Sequence, residues 1–140
     1  MCFKRKPSFP FTARMITIHG RCYDVLVQAN ADGEAIPRPY TGKGMVTIEY
    51  HDGAVWRNLA STAIADDGLF LRTVALGYGQ YRLAFHLAKP MQGGRFGPFC
   101  YDGVFKQDGT YTFRLKREDI VKAAAPMISG DIIIFTEGVL

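Results

Sequence analysis

The residues that could begin metal or acid–base chemistry in this chain are three histidines, and they lie far apart. They are His19, His51 and His86. None has a second histidine or a carboxylate at the H-x-x-x-H spacing of a metal site, so we expect hydrogen-bonded or solvent-facing roles for them. His19 and Cys22 could form a base and a nucleophile, but the Gly20-Arg21 pair between them predicts a turn, and no orienting group is evident. The sequence predicts no metal and no cofactor.

Motifs for nucleophilic or phosphate chemistry are incomplete. The three serines all lie outside the G-x-S-x-G turn that exposes a hydrolase nucleophile. The stretch TGKG at 41–44 resembles part of a phosphate-binding loop, but the leading glycine is missing and Gly44 replaces the required Ser or Thr. Asp66 and Asp67 are adjacent carboxylates, and a turn at Asp67-Gly68 accounts for them better than a calcium site does. We interpret the chain as a non-enzyme, with a catalytic site built from scattered residues as an alternative.

Size and charge indicate one folded domain without a nucleic-acid face. The chain has 140 residues, 48% of them hydrophobic and 21% charged, which is ordinary globular composition. The formal net charge is +4, and much of it comes from Lys4, Arg5, Lys6 and Arg14, which have no acidic neighbour. Elsewhere charges of both signs are interspersed, so no broad basic surface for phosphates is indicated. We expect no specific nucleic-acid partner.

The cysteines and the apolar runs predict neither secretion nor membrane insertion. Cys2, Cys22 and Cys100 are odd in number and far apart, so neither a disulfide framework nor a zinc site is implied. The longest apolar run, at 132–135, has the length of a strand and is too short to cross a bilayer. Pro7 and Pro10 interrupt what would have to be the apolar part of a signal peptide. We expect no signal peptide, no membrane partner and synthesis in a cytoplasm.

Turn residues at short intervals predict an all-β fold. Asp-Gly pairs at 52–53, 67–68 and 108–109, and the Gly77-Tyr78-Gly79 stretch, separate segments in which apolar and polar residues alternate. We predict an antiparallel β-sandwich or jelly roll over residues 15–140, preceded by an extended arm over 1–14. Helical residues are confined to 117–125, so at most one short helix is expected.

The alternation also predicts which side chains enter the core. In the hairpin around Asp52-Gly53, one face should carry Val46, Ile48 and Tyr50 together with Val55 and Leu59. Later strands should bury alternate residues in the same way. Those residues are Phe70, Val74, Leu76, Tyr81, Leu83, Phe85, Tyr111, Phe113 and Leu115. Near the start, Gly20 is expected to divide two short strands, at 15–18 and 22–28.

The two ends are the segments that a self-sufficient domain explains least well. In the arm, aromatic residues interleave with basic ones, and an extended segment of this kind can insert rings into pockets on a neighbour. The last strand is too apolar to be exposed, so it must be central in its own sheet or add to another chain's sheet edge. The predicted partner-binding residues are Phe3, Lys4, Arg5, Lys6, Phe9, Phe11, Ile132, Ile133, Ile134 and Phe135. A homodimer or higher homo-oligomer is expected.

A glycine-rich aromatic loop supports a second hypothesis. Residues 93–103 (GGRFGPFCYDG) place Phe96, Phe99 and Tyr101 among glycines. Such rings either pack into the core or form an exposed binding surface. Together with Trp56 they could stack against sugars, with Asp or Arg binding hydroxyls. A carbohydrate-binding β-sandwich is therefore the alternative to an assembly protein.

Two resemblances accompany these predictions. The segments VTIEY at 46–50, ADDGLFL at 65–71 and GQYRL at 79–83 resemble transthyretin-like and carboxypeptidase-regulatory β-sandwiches, in which an Asp-Asp-Gly-x-Phe turn precedes a Gly-x-Tyr strand. In size and terminal arms the whole chain looks like the small all-β decoration, or cementing, proteins of tailed phages. That resemblance implies a structural protein on the capsid surface of a virion, bound to the major capsid protein or another shell protein. No family motif carries it, so no residue role is transferred.

Overall fold

The computed structural model describes residues 13–25, 37–88, 94–96, 99, 101–106, 108–116, 118 and 127–134. Within them the backbone forms eleven strands. These are β1 Arg14–Val25, β2 Pro37–Pro39, β3 Gly44–His51, β4 Trp56–Ile64, β5 Leu69–Leu76, β6 Gly79–Leu87, β7 Gly94–Phe96, β8 Gly103–Phe105, β9 Thr110–Leu115, β10 Met127–Ser129 and β11 Ile132–Ile134. The all-β sandwich predicted from the turn spacing is confirmed.

The strands form two sheets. The second sheet has the order β4-β3-β6-β9-β8, and all of its neighbours are antiparallel. The first sheet is mixed and is centred on β1, with the path β10-β1-β11-β7 and with β5 and β2 also paired to β1. The two parallel pairings of this sheet, β1 with β10 and β1 with β11, were not expected from the antiparallel pattern of the sequence.

Strand β1 organises the first sheet along its whole length. One edge pairs antiparallel with β5 over Arg14–Arg21 and then with β2 over Tyr23–Val25. The other edge pairs parallel with β10 over Thr17–His19 and then with β11 over Cys22–Asp24. Both parallel pairings keep one register, in which Thr17 lies beside Met127 and Cys22 beside Ile132. β10 and β11 are therefore one strand interrupted at Gly130-Asp131, opposite Gly20-Arg21.

The core lies between the two sheets and follows the predicted alternation. The first sheet contributes buried residues that include Ile16, Ile18, Phe70 and Leu76, and the second contributes residues that include Val46, Ile48, Leu83 and Phe85. The rings of Phe70 and Phe85 meet edge to face at 5.5 Å between centroids, which joins the sheets. Each such side chain contributes roughly 1.5–3 kcal/mol by leaving water.

The β4–β5 connection turns the chain from one sheet to the other. The amide of Ala65 donates to the Leu69 carbonyl at 2.8 Å, and the Thr62 hydroxyl donates to the Leu71 carbonyl at 3.1 Å. At the predicted turn, Gly68 adopts φ +88° and its amide donates to the Ala65 carbonyl. β5 is thereby held beside β4 as well as β1.

The hairpin at Asp52 differs from its prediction in loop length. His51 pairs with Trp56, so the loop has four residues, and the Asp52 carboxylate accepts the amides of Ala54 and Val55. Val55 is half exposed in this loop, and a register shift next to Ile48 leaves Leu59 outside the β3–β4 pairing, although it still packs against the core. The prediction that Val55 shares the core face was wrong, because Asp52 satisfies the extra loop amides and makes the longer turn stable.

Two further predictions are corrected or limited. Gly20 does not divide two strands, because β1 continues through it as one twelve-residue strand. Of the predicted helix at 117–125, only Glu118 lies within the described residues, and its backbone is helical. Residues 1–12 of the arm predicted over 1–14, and Phe135, lie outside the described residues, so the division into an arm and a domain stays a prediction.

Candidate binding surface

The outward side chains of β1 and β5 form an exposed surface that we call the ribbon face. The pairing of the two strands places Met15 beside Ala75, Thr17 beside Thr73, His19 beside Leu71 and Arg21 beside Leu69. The apolar members are unusually open, with Leu71 exposed by 62%, Met15 by 61% and Leu69 by 43%. We call these apolar residues the apolar stripe; it is interrupted between Met15 and Leu71 by Thr17 and Thr73, whose hydroxyls hydrogen-bond each other at 3.0 Å.

A cleft of about 390 Å³ opens beside this stripe, where the parallel ladder is interrupted. It is lined by His19, Gly20, Arg21, Tyr23, Leu69, Ser129, Gly130 and Asp131. Two contacts bridge the interruption: the Gly130 amide donates to the His19 carbonyl at 3.2 Å, and the Arg21 amide donates to Asp131 Oδ1 at 3.1 Å. The Asp131 side chain thus replaces a missing ladder bond and forms one wall of the cleft.

Glycine is required at the interruption because the two backbones approach closely. A Cβ atom on Gly20 would lie 1.8 Å from the Gly130 carbonyl oxygen, and one on Gly130 would lie 1.9 Å from the Phe99 ring. Neither position tolerates a side chain without movement of the backbone or of the core. Because both residues are glycines, they place no side chain on the floor of the cleft.

Arg21 is the residue of the cleft whose hydrogen bonding is incomplete. Its Nε atom is buried and, within the part of the chain that the structure describes, lacks an acceptor. Its Nη2 atom lies 3.5 Å from Asp67 Oδ2, a pair that is partly open to solvent. Asp67 is held in place by its own turn, since its Oδ1 accepts the Leu69 amide at 3.2 Å. A hydrogen-bond acceptor from another molecule would complete the Arg21 fork.

The residue types of a hydrolytic site meet here but in an unsuitable arrangement. His19, Ser129 and Asp131 line one cleft, with His19 beside Ser129 in the ladder. The Oδ1 atom of Asp131 accepts a hydrogen bond from the Arg21 main chain, so this oxygen serves the β1 backbone. Cys22 is buried on the opposite side of β1 from His19, which separates the base and nucleophile considered from sequence.

Burial fixes the protonation state of Cys22. Removal from water, with a smaller contribution from the Asp131 charge, raises the pKa of Cys22 to about 12. The thiol is therefore neutral at physiological pH and is a poor nucleophile.

The outer face of the second sheet is arranged differently, and its polar side chains contact one another. Arg82 Nε pairs with Glu49 Oε1, and the Arg82 guanidinium lies 4.5 Å from the centroid of the Trp56 ring. The His51 ring meets Trp56 edge to face at 4.9 Å. The exposed apolar residues Met45 and Val104 lie on different strands, with β6 and β9 between them.

The described aromatics of the glycine-rich loop pack inward. The Phe99 ring lies 4.9 Å from Tyr111, and the Tyr101 ring stacks on Phe113 at 6.5 Å. Both are partly buried against the core. Trp56 is on the second sheet, where both the Arg82 guanidinium and the His51 ring contact it. The described rings thus do not form the open platform that sugar stacking needs.

The predicted partner-binding residues separate into two groups. Phe3, Lys4, Arg5, Lys6, Phe9, Phe11 and Phe135 lie outside the described residues. Ile132 and Ile134 are fully buried within this chain, and β11 pairs with β1 on one edge and β7 on the other. Two roles were considered for this strand, and in the structure it is a central strand of its own sheet. Ile132 and Ile134 are therefore core residues and Ile133 is partly exposed, and a contact of this strand with another chain stays a prediction.

The ribbon face and the cleft were missed at the sequence level. Arg21 and Asp131 are separated by 110 positions, and nothing in a single sequence pairs them. The available signal was the presence of Gly20 and Gly130 within two β-prone segments, which marks a close backbone approach or an irregular ladder.

Comparison with known proteins yields no family. No family model matches the chain, and no curated protein matches it. Among solved structures, the shaft pilin SpaA of Lactobacillus rhamnosus GG is similar, with 12% identity and a TM-score of 0.41 over 89% of this chain and 52% of the pilin. A single-substitution mutant of that pilin gives 12% identity, a TM-score of 0.41, and coverage of 90% and 52%. The chain spans about half the length of the pilin, and so distant a likeness carries no functional argument.

Two searches of the described residues concern other classes of function. No helix among them has the length and apolarity to cross a membrane. Nor do three or more His, Cys, Asp or Glu side chains in the described ranges cluster where they could hold a metal ion.

Proposed function

We propose that this chain is a structural assembly protein that joins neighbouring subunits on a protein shell through its arm and its ribbon face. The observation that carries the proposal is the exposure of Leu71, Met15 and Leu69 along one strand pair. Apolar side chains that line up beside a polar cleft are typical of protein-binding surfaces, whereas single exposed apolar residues are ordinary.

The position of the arm supports the same role. β1 begins at Arg14, so the arm joins the domain at the end of the ribbon face that carries Met15. A twelve-residue segment can extend to about 40 Å, which is enough to reach a neighbouring subunit. The rings of Phe3, Phe9 and Phe11 supply the aromatic anchors on which binding energy commonly concentrates.

The finer proposal is that the shell is a viral capsid and that the protein cements it, with the capsid protein as the partner and the virion surface as the location. The resemblance in size and arms to phage decoration proteins suggests this shell. A structural role also suits the chemistry near the cleft, where Asp131 Oδ1 accepts a backbone amide and the neutral Cys22 thiol is buried on the other side of β1.

The test measures binding to purified shells by co-sedimentation, together with the heat resistance of the particles. Wild-type protein is compared with a chain that lacks residues 1–12 and with the double variant Leu69→Glu/Leu71→Glu. Met45→Glu/Val104→Glu, at similar exposure on the second sheet, is the matched control. We expect the first two changes to weaken binding by about tenfold or more, and the control to bind normally. Unchanged binding and heat resistance in both test variants would refute the proposal.

A further inference from the structure

We propose that the cleft between β1 and the interrupted β10–β11 strand binds one residue of a neutral sugar. The cleft extends from β1 toward β10 and β11, whereas the apolar stripe extends toward β5, and Leu69 borders both. This binding activity goes beyond the proposed shell-binding function and does not depend on it. The polar groups of the cleft, their charges and the bare floor between them point to this class of ligand.

Arg21 and Asp131 supply a hydrogen-bond donor and an acceptor at the two sides of the cleft. They lie opposite each other where the ladder is interrupted, yet among the described residues Arg21 forms its ion pair with Asp67 and not with Asp131. The buried Nε atom of Arg21 has no acceptor there. Asp131 Oδ1 accepts the Arg21 amide, and within the described ranges its Oδ2 has no hydrogen-bond donor.

A hydroxyl group suits this pair because its oxygen accepts one hydrogen bond while its proton makes another. Between the two side chains, a ligand hydroxyl accepts from Arg21 and donates to Asp131. Neighbouring strands are about 4.8 Å apart, so one hydroxyl, or two on adjacent carbon atoms, can bridge from one strand to the other. A sugar ring carries hydroxyls on adjacent carbon atoms.

The charges around the cleft exclude an anionic ligand. Asp131 and Asp67, with the exposed Asp66 in the same turn, outnumber the single guanidinium of Arg21, and the formal balance is negative with histidine counted as neutral. A phosphate, sulfate or carboxylate is therefore repelled. A simple cation has no acceptor for Arg21. The ligand class that remains is neutral and carries both donors and acceptors, as sugars and peptide amides do.

The shape of the cleft favours a sugar over an extended peptide. Its volume of about 390 Å³ is near the lower end of the roughly 300–1,000 Å³ that small-molecule sites occupy. Gly20 and Gly130 leave the floor without side chains, and Tyr23 and Leu69 add apolar surface for the ring carbons. An extended peptide commonly adds to an open strand edge, but β1 is paired on both edges here.

Saccharide binding by the full-length chain is measured by saturation-transfer NMR and by the ¹⁵N chemical shifts of the protein. The probes are the methyl glycosides of glucose, galactose, mannose and N-acetylglucosamine. We expect at least one to bind with a Kd of roughly 1 mM and to shift the amides of Arg21 and Asp131. Failure of all four to bind at about 10 mM, or shifts confined to the second sheet, would overturn the inference.

Two variants remove one hydrogen bond each. Asp131→Asn keeps Oδ1 for the Arg21 amide but replaces the acceptor Oδ2 with a donor, and Arg21→Lys keeps the charge but removes the Nε donor. Each is expected to raise the Kd by about tenfold. Asp66→Asn makes the same chemical change on an exposed neighbour outside the cleft lining and should bind normally. The same Kd in wild type and in both cleft variants would contradict the assignment.

Two further probes test the charge and the class of the ligand. The methyl glycoside of glucuronic acid adds a carboxylate to the sugar and should bind at least about threefold more weakly than that of glucose. N-acetylglycinamide presents a peptide unit without a ring and should not bind. Tighter binding of the glucuronide would refute the exclusion of anions. Binding of the amide at the cleft in place of every glycoside would assign the cleft to peptides.

Co-sedimentation with shells distinguishes this inference from the proposed function. Asp131→Asn should bind shells as the wild type does, and Leu71→Glu should bind the glycoside as the wild type does, because Leu71 is outside the cleft lining. If the wild type binds a glycoside but no shell, only the proposed function fails. If it binds shells but no glycoside, only the sugar site fails.

Discussion

The outer faces of the two sheets differ in how their side chains are satisfied. On the second sheet, the side chains of Glu49, Arg82, Trp56 and His51 contact one another within the chain. On the first sheet, open leucines lie beside a cleft whose arginine lacks an acceptor. Buried polar groups therefore do not distinguish a binding surface in this protein. The ribbon face is distinguished by exposed apolar side chains beside a cleft whose arginine has incomplete hydrogen bonding.

The same glycine substitution in the two sheets should give the largest contrast. Gly20→Ala places a Cβ atom against the Gly130 carbonyl, and we expect a loss of about 3 kcal/mol or more in the free energy of unfolding. Gly53→Ala lies in the second-sheet hairpin with open space around it but a φ of +101°, so we expect a loss of about 1 kcal/mol. Urea unfolding of both variants measures the difference. Equal losses would mean that the interruption in the first sheet is not tightly packed.

Alkaline pH should weaken the first sheet through Cys22. Its pKa is near 9.0 when unfolded and about 12 when folded, so above pH 9 the unfolded chain binds fewer protons than the native one. The free energy of unfolding therefore falls as pH rises, by about 1.4 kcal/mol at pH 10 from this group alone. Well below pH 9, for example at pH 7, this group causes no change.

The variant Cys22→Ala isolates this contribution. It should be less stable at neutral pH, because it loses a buried side chain, but its stability should fall less between pH 8 and 10. The raised pKa of Tyr81, caused mainly by burial, adds a slope that both proteins share. A variant with the same slope as wild type would show that Cys22 is not shielded from water.

Truncation of Arg82 should affect stability and leave assembly alone. Arg82→Ala removes the ion pair with Glu49 and the contact with the Trp56 ring, and we expect a loss of about 1 kcal/mol. If this variant associates as strongly as the wild type in sedimentation, the second face does not contribute to the interface. Loss of association would assign that face to the interface as well.

The smallest effect on stability is expected on the ribbon face itself. Leu71→Ser changes an exposed side chain, so the free energy of unfolding should shift by no more than about 0.5 kcal/mol. Its association should nevertheless weaken measurably, in the opposite pattern to Arg82→Ala. A large loss of stability would show that Leu71 supports the fold and would remove it from the proposed interface.

Local patterns predicted the second sheet better than the first. The alternation of Tyr81, Leu83 and Phe85 sufficed to identify core residues, because antiparallel neighbours joined by short turns are set by nearby residues. Asp52 lengthened one of those turns, and that displaced Val55 from the expected face. The error stayed local because β3 keeps a single register with β6, although its register with β4 shifts between Ile48 and Glu49.

The first sheet depends on contacts across the length of the chain. β1 pairs in parallel with a strand 110 positions later. Parallel strands are not joined by a tight turn, so no local sequence signal predicts that they pair. The cleft exists only where that pairing is interrupted, so Arg21 and Asp131 could not be joined from sequence. The apolar character of the last strand was recognised from the sequence. Its position at the centre of a sheet is visible only in the structure.

Photo-crosslinking locates the interface most directly. A photoreactive amino acid is introduced at position 71 of the ribbon face or at position 104 of the second face in the full-length chain, and the assembled protein is irradiated. The account predicts crosslinks from position 71 to another chain, and few or none from position 104. Crosslinks from position 104 alone, or equal yields from both positions, would contradict it.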